Sequence, residues 1–157
     1  WIPLYLFFLY YAFRNGNWKY ILYILLAVVA CVGLADWLSV NAFKEVFQRY
    51  RPTHNEEIKD LVKTVIKPNG EEYRGGQFGF VSSHAANVSA IATFVFLSFK
   101  QFSKWWWILI AWACLIMYSR IYLGVHYPGD IVGGSLLGIS IAVILFFATK
   151  KLNPLKK

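Results

Sequence analysis

The chain has 157 residues, 58% of them hydrophobic and 19% aromatic, and a formal net charge of +8. That apolar share exceeds the usual one for a soluble domain, and the length suits a single integral-membrane domain over residues 1–157. The sixteen basic residues flank apolar runs in short groups instead of forming one basic face, which sets nucleic-acid binding aside.

Residues 1–13 are apolar and aromatic but too short to cross a bilayer alone. Because the chain opens on Trp1, they read as the remainder of a span begun upstream. A basic turn containing Asn15-Gly16-Asn17 follows, and residues 20–40 then make a span interrupted only by Asp36. Residues 84–99 and 105–121 are the next spans, joined by Lys100-Gln101-Phe102-Ser103-Lys104, and the last runs from Pro128 to about Thr149. The expected fold class is all-α, a transmembrane helical bundle with about five spans present. Helices are the natural element because they satisfy their own backbone in lipid. Between the spans, residues 41–83 form one long loop. Ile58, Leu61, Val62, Val65 and Ile66 recur there at helical spacing, which predicts a short amphipathic helix over 56–66. Such a helix either shapes a lateral entry for lipid or caps the bundle. Pro68-Asn69-Gly70 reads as a turn and Gly75-Gly76 as a joint. Cys31 and Cys114 lie inside apolar segments, with no metal-ligand spacing, and read as small core residues.

Charge sorts the loops into two sides. Arg14, Lys19, Lys100, Lys104, Lys150, Lys151, Lys156 and Lys157 fall on one side, with no acid among them. Short basic loops mark the cytoplasmic face, and Trp105-Trp106-Trp107 sits where an aromatic belt belongs. All eight acids lie on the other side or at the end of the span leading to it. That non-cytoplasmic side also carries three polar clusters: Lys44 with Arg51-Pro52, Ser82-Ser83-His84, and Ser119-Arg120 with His126 and Asp130. Ionisable groups at a membrane edge are costly and mark function by default.

The residue types suit phosphoryl transfer. Ser82 and Ser83 stand where a span begins, and the free N–H groups of a helix start form an anion site. Pro128 opens the last span in the same way. Arg51 and Arg120 offer paired donors to phosphate, and Lys44 adds a point charge. A neutral imidazole can attack phosphorus if a carboxylate fixes its tautomer, and His126 with Asp130 four residues on is such a pair. His84 is then the acid for the leaving oxygen. Singly, each piece is ordinary: a snorkelling basic flank, an interfacial histidine, a serine cap. Together they are hard to explain as packing. His54 lies outside the set, either as a solvated loop residue or as a headgroup contact. Asp36 either faces Lys44 or Arg51 or is a plain interfacial carboxylate. Tyr122 and Tyr127 are belt or pocket-mouth residues.

Three stretches carry a family resemblance: Lys44-Glu45-Val46-Phe47-Gln48-Arg49-Tyr50-Arg51-Pro52, Val81-Ser82-Ser83-His84, and Ser119-Arg120-Ile121-Tyr122-Leu123-Gly124-Val125-His126-Tyr127-Pro128-Gly129-Asp130. Jointly they resemble the type-2 phosphatidic acid phosphatase superfamily, which includes vanadium haloperoxidases. The first and third match its pattern fully. The second has Val81 where the family has proline and Ser83 where it has glycine. The resemblance covers roughly residues 36–149. It implies six spans in a complete member. It implies a lipid phosphatase with His126 as nucleophile through a phosphohistidine, Asp130 as its partner and His84 as acid. Lys44, Arg51, Arg120, Ser82 and Ser83 would hold phosphate, with no metal and no cofactor. The implied partners are the bilayer and a phospholipid or polyprenyl diphosphate substrate: undecaprenyl diphosphate, lipid A 1-phosphate, phosphatidylglycerol phosphate or phosphatidate. The implied location is the plasma or inner membrane, with the site on the non-cytoplasmic face. The rival readings are a vanadate-dependent haloperoxidase and a non-catalytic lipid binder or transporter.

Overall fold

Apolar side chains recurring every three or four residues make α1, Trp18–Leu38, bury one narrow stripe: Tyr20, Ile24, Ala27, Cys31 and Ala35. The helix does not stop at Leu38. It widens into a π-helical turn over Ser39–Lys44, tightens again over Glu45–Phe47, and ends where Gln48 turns left-handed at φ 46°. This is a computed structural model. It describes residues 18–99 and 107–152 together with Leu6, Leu9, Tyr10, Phe13 and Arg14. Most of the 1–13 stretch, the Asn15-Gly16-Asn17 turn, the 100–104 turn, Trp105, Trp106 and the tail from residue 153 on, with Lys156 and Lys157, lie outside those residues.

The centre of the bundle is α2, Ser83–Phe99, which is buried on nearly every side. Its residues are small where neighbours come close. Against it pack α1, α3 (Trp107–Tyr122) and α4 (Pro128–Thr149). The tightest approach is to α4 through a glycine pair. A Cβ added at Gly134 would lie 2.4 Å from the Ser82 carbonyl oxygen, and one at Gly138 would lie 2.1 Å from that of Ala86. Small residues four apart are how helices reach contact where burial alone provides no drive. Farther down, Phe94 meets Tyr23 and Phe146 with ring centroids 6.2 Å apart in each case.

The chain is mostly helical. Among the described residues α1 with its extension and α4 are long and apolar enough to cross a membrane, and α2 and α3 are shorter apolar helices. Only 22% of the first span's most apolar stretch and 28% of the second's are buried inside the protein. A core helix of a soluble protein would be mostly covered. Here Leu26, Val29, Leu115, Leu136, Ile144 and Phe147 face outward, an exterior suited to lipid.

The long loop corrects one expectation. No amphipathic helix forms over 56–66. Residues 55–61 make a run of turns, with Ile58 N–H and Lys59 N–H both donating to the Asn55 carbonyl at 3.1 and 2.8 Å. Val65–Ile66 is instead strand β1, paired antiparallel with β2, Glu72–Tyr73, with Val65 opposite Tyr73 and Ile66 opposite Glu72. The reason is local. Val65 and Ile66 are β-branched, and the Pro68-Asn69-Gly70 turn returns the chain beside them, with Gly70 at φ 83° and Lys67 N–H bonded to the Glu71 carbonyl at 2.8 Å. Upstream, Tyr50 bridges Phe78 in antiparallel fashion, with Arg51 N–H donating to Gln77 and Gly79 N–H to Arg49. That extended pairing brings the Arg51 segment alongside the starts of α2 and α4.

Candidate active site

The third cluster's spacing has a mechanical meaning. Arg120 lies in the last turn of α3, and its carbonyl accepts from Val125 N–H at 3.2 Å. Gly124 reverses the chain at φ 65°, with the Val62 side chain so close that any Cβ would collide with it. His126 follows in the short connection, and Pro128 starts α4. Asp130 then falls in the first turn, where its Oδ2 reaches back to accept from Tyr127 N–H at 2.9 Å. The same oxygen faces His126 Nδ1 at 3.3 Å. Both side chains are almost fully buried.

On the other side of the imidazole, Arg51 Nη1 lies 3.1 Å from His126 Nε2. A guanidinium can only donate, so Nε2 presents its lone pair and the ring proton sits on Nδ1, toward Asp130. Burial holds the His126 pKa below the ordinary imidazole value. The Asp130 bond opposes this, and the Arg51 and Lys44 charges add to the lowering. The neutral ring therefore carries an unprotonated Nε2 near pH 7. Arg51 is fixed by two further bonds, Nε to the Phe78 carbonyl at 3.1 Å and Nη1 to that of Val125 at 3.3 Å. A Cβ at Gly79 would press on both Arg51 and Asp130, at 3.1 and 3.2 Å, so glycine there leaves room for the pair.

The other predicted residues gather at the same end. Lys44, delivered by the π-helical turn, donates to Ser83 Oγ at 2.5 Å, and Ser83 Oγ lies 2.7 Å from Ser39 Oγ. Ser82 is fully buried. Its Oγ accepts from Ala85 N–H at 3.4 Å as an N-cap, and its own N–H donates to the Asp130 carbonyl at 3.0 Å, tying α2 to α4. The Ser83 and His84 N–H groups have no acceptor among the described residues, the usual condition of a helix start. His84 is exposed at that start and lies within electrostatic reach of Arg120, His126, Arg51 and Lys44. Arg120 Nε rests on Ser119 Oγ at 3.3 Å. Five ionisable side chains from four separate segments thus converge, with Asp130 behind them. Asp36 reaches Lys44 only electrostatically. Tyr122 is exposed beside Tyr118, as a belt residue would be, whereas Tyr127 lines a cleft near the site.

One residue in this cluster escaped the sequence reading. Arg49 is ion-paired with Asp130 Oδ1, and its guanidinium lies between the rings of Phe80 and Tyr127, at 4.7 and 5.2 Å from their centroids. Phe80 is braced in turn by Phe43 and Phe47. The available signal was alternation. In an extended segment residues two apart share a face, so Arg49 had to point where Arg51 points.

The arrangement has counterparts. The lipid A 4'-phosphatase of Bacteroides thetaiotaomicron is 38% identical over 98% of this chain and 66% of its own length. The lipid A 4'-phosphatase of Porphyromonas gingivalis is 36% identical over 93% and 59%. The undecaprenyl-diphosphatase of Sulfolobus acidocaldarius is 32% identical over 77% and 66%. The chain thus spans roughly three fifths to two thirds of the length of these curated relatives. No solved structure matches it. Residues 16–154, which include all three clusters, match the family described as the PAP2 superfamily, and the chain belongs to that superfamily.

Proposed function

We propose that the protein is an integral-membrane lipid phosphatase that works through His126. The observation that carries this is the line Asp130–His126–Arg51: a carboxylate at Nδ1, a lone pair at Nε2, and a guanidinium, a group suited to phosphate, 3.1 Å from that nitrogen. The PAP2 relatives named lipid A 4'-phosphatase and undecaprenyl-diphosphatase support the reaction class and a lipid-linked phosphate as substrate.

The steps follow from the groups in place. The phosphoryl oxygens enter among Lys44, Arg51, Arg120 and the open N–H groups at the start of α2, which offset charge as it develops. Arg51 exchanges its contact with Nε2 for one with phosphate. The Nε2 lone pair attacks phosphorus, the ester P–O bond breaks, and His84 gives its proton to the departing oxygen. Asp130 steadies the cationic phosphoimidazole. Water then attacks phosphorus, His84 takes back a proton, and the P–N bond breaks to free inorganic phosphate and His126. Ser82 acts mainly by capping α2 and Ser83 by holding Lys44, so their part in phosphate binding runs through those contacts. The site faces the non-cytoplasmic side, opposite the loops rich in lysine and arginine and free of acids.

The test is phosphate release in detergent or nanodiscs from phosphatidate, an acylated glucosamine phosphate and a polyprenyl diphosphate. His126→Ala should reduce release from every one of them by about a thousandfold or more, and a chelator should leave the wild type unchanged, because the cations are side chains. Wild-type turnover in His126→Ala would overturn the nucleophile assignment.

A further inference from the structure

Two hydroxyls bracket Lys44, and one of them, Ser39, belongs to none of the three polar clusters. Ser39 is fully buried and opens the π-helical turn that Lys44 closes. The two residues are five apart. In an α-helix, residues five apart stand about 140° from each other around the axis and serve different faces. A turn bonded from i to i+5, as Glu45 N–H to the Val40 carbonyl is here, brings such residues nearly into line. The widened turn therefore turns Ser39 and Lys44 to one side, where Ser83 opens α2. Lys44 Nζ meets Ser83 Oγ at 2.5 Å, and Ser39 Oγ meets the same atom at 2.7 Å.

The direction of each bond follows from counting protons. An ammonium can only donate, so Lys44 gives a proton to Ser83 Oγ. Ser39 Oγ gives its single proton to the Asp36 carbonyl at 2.9 Å. At the Ser83 contact Ser39 must then accept, and the Ser83 proton goes to it. The relay runs one way, from Lys44 through Ser83 and Ser39 to the Asp36 carbonyl, and uses every hydroxyl proton. Ser83 thus keeps no proton for a bound anion. Lys44 keeps two N–H groups, which have no acceptor among the described residues. A lysine ammonium on its four-carbon stem is otherwise free to rotate and swing. Fixing it in advance cuts the ordering that binding must impose.

We infer that Ser39 is a positioning residue: acting through Ser83, it aims the two open N–H groups of Lys44 at the oxyanion held beside His126. The inference rests on the phosphatase reading for the identity of that oxyanion, and it adds to the site a buried hydroxyl from outside its motifs.

The test places Ser39→Ala in the wild-type and Lys44→Ala backgrounds of the full chain in nanodiscs. Two quantities are read: kcat/KM for phosphate release from whichever lipid of the panel is turned over fastest, and, without turnover, the affinity for tungstate, a tetrahedral oxyanion. With Lys44 present, Ser39→Ala should lower both about tenfold, the low end for a hydrogen bond to a charged group. In Lys44→Ala, where Arg51 and Arg120 still hold the anion, it should change either by less than about twofold, because no ammonium is left to aim. Ser83→Ala cuts the relay at its middle, should repeat this pattern, and decides the matter if Ser39→Ala melts too low to assay. A tenfold loss that persists in Lys44→Ala, or no loss in either background, overturns the inference. If the wild type frees no phosphate from any lipid but tungstate affinity still falls only when Lys44 is present, the phosphatase reading fails and the positioning role stands.

Discussion

Asp130 is where the chemistry of single residues is decided. It is fully buried and receives Tyr127 N–H, His126 Nδ1 and the Arg49 guanidinium. A buried carboxylate is tolerable only when its lone pairs are used in this way. Arg49 divides the carboxylate's charge between two neighbours, so less of it is available to draw a proton onto His126. With the His126 pKa already held down by burial, the imidazole stays neutral as pH falls below the usual histidine range. The acid limb of kcat/KM should therefore have its midpoint below that range. Arg49→Met should move the midpoint upward, because an uncompensated Asp130 favours the imidazolium; a pH–rate profile of both proteins reads this directly. A residue that only supported the fold would lower the rate without moving the limb. Much of this site was visible in residue types and spacing, since Lys44, Arg51, His84, Arg120, His126 and Asp130 announce themselves by charge at the ends of apolar runs. Arg49 did not, because a basic residue in a loop is unremarkable until its neighbours are shown to be extended.

At the level of elements, the distance between the two halves of the site is set by how closely α2 and α4 approach. Ser82, Ser83 and His84 ride on one helix and Asp130 on the other, and Gly134 and Gly138 leave no space for a side chain between them. Gly138→Leu should force the helices apart. Overpacking of a tight contact costs about 1–3 kcal/mol, and here the obstacle is a carbonyl that cannot rotate away. The expected outcome is a lower melting temperature in detergent together with a large loss of phosphate release. The neighbouring Gly129→Ala should do neither, as a Cβ there meets nothing within 4 Å. The four apolar helices were legible because length and composition leave an apolar stretch little choice in lipid. The long loop was not. Ile58, Leu61, Val62, Val65 and Ile66 fit a helical period by coincidence, and Leu61 and Ile66 remain strongly exposed. The β-branched pair and the Pro68-Asn69-Gly70 turn carried the truer signal, local pairing, which a count of periodic apolar residues passes over.

The whole molecule is polar at one end and apolar around its flanks. The acids, the hairpin and the proposed site share that end, and the outward residues of α1, α3 and α4 form the apolar band. This orientation makes a simple prediction. A cysteine placed at Glu71, in the exposed hairpin turn, should react with a membrane-impermeant thiol reagent added to the non-cytoplasmic side of intact cells or spheroplasts. Reaction only after the membrane is breached would reverse the assigned sidedness. The described residues leave Cys31 buried and Cys114 on the outward side of α3, so a variant lacking Cys114 gives the clean background. A last consequence follows from the grip of Phe78, Val125 and His126 on Arg51. The half-buried guanidinium has given up part of its water before any lipid arrives. The expense of stripping that ion was met once, when the chain folded, and it need not be met again with each molecule turned over.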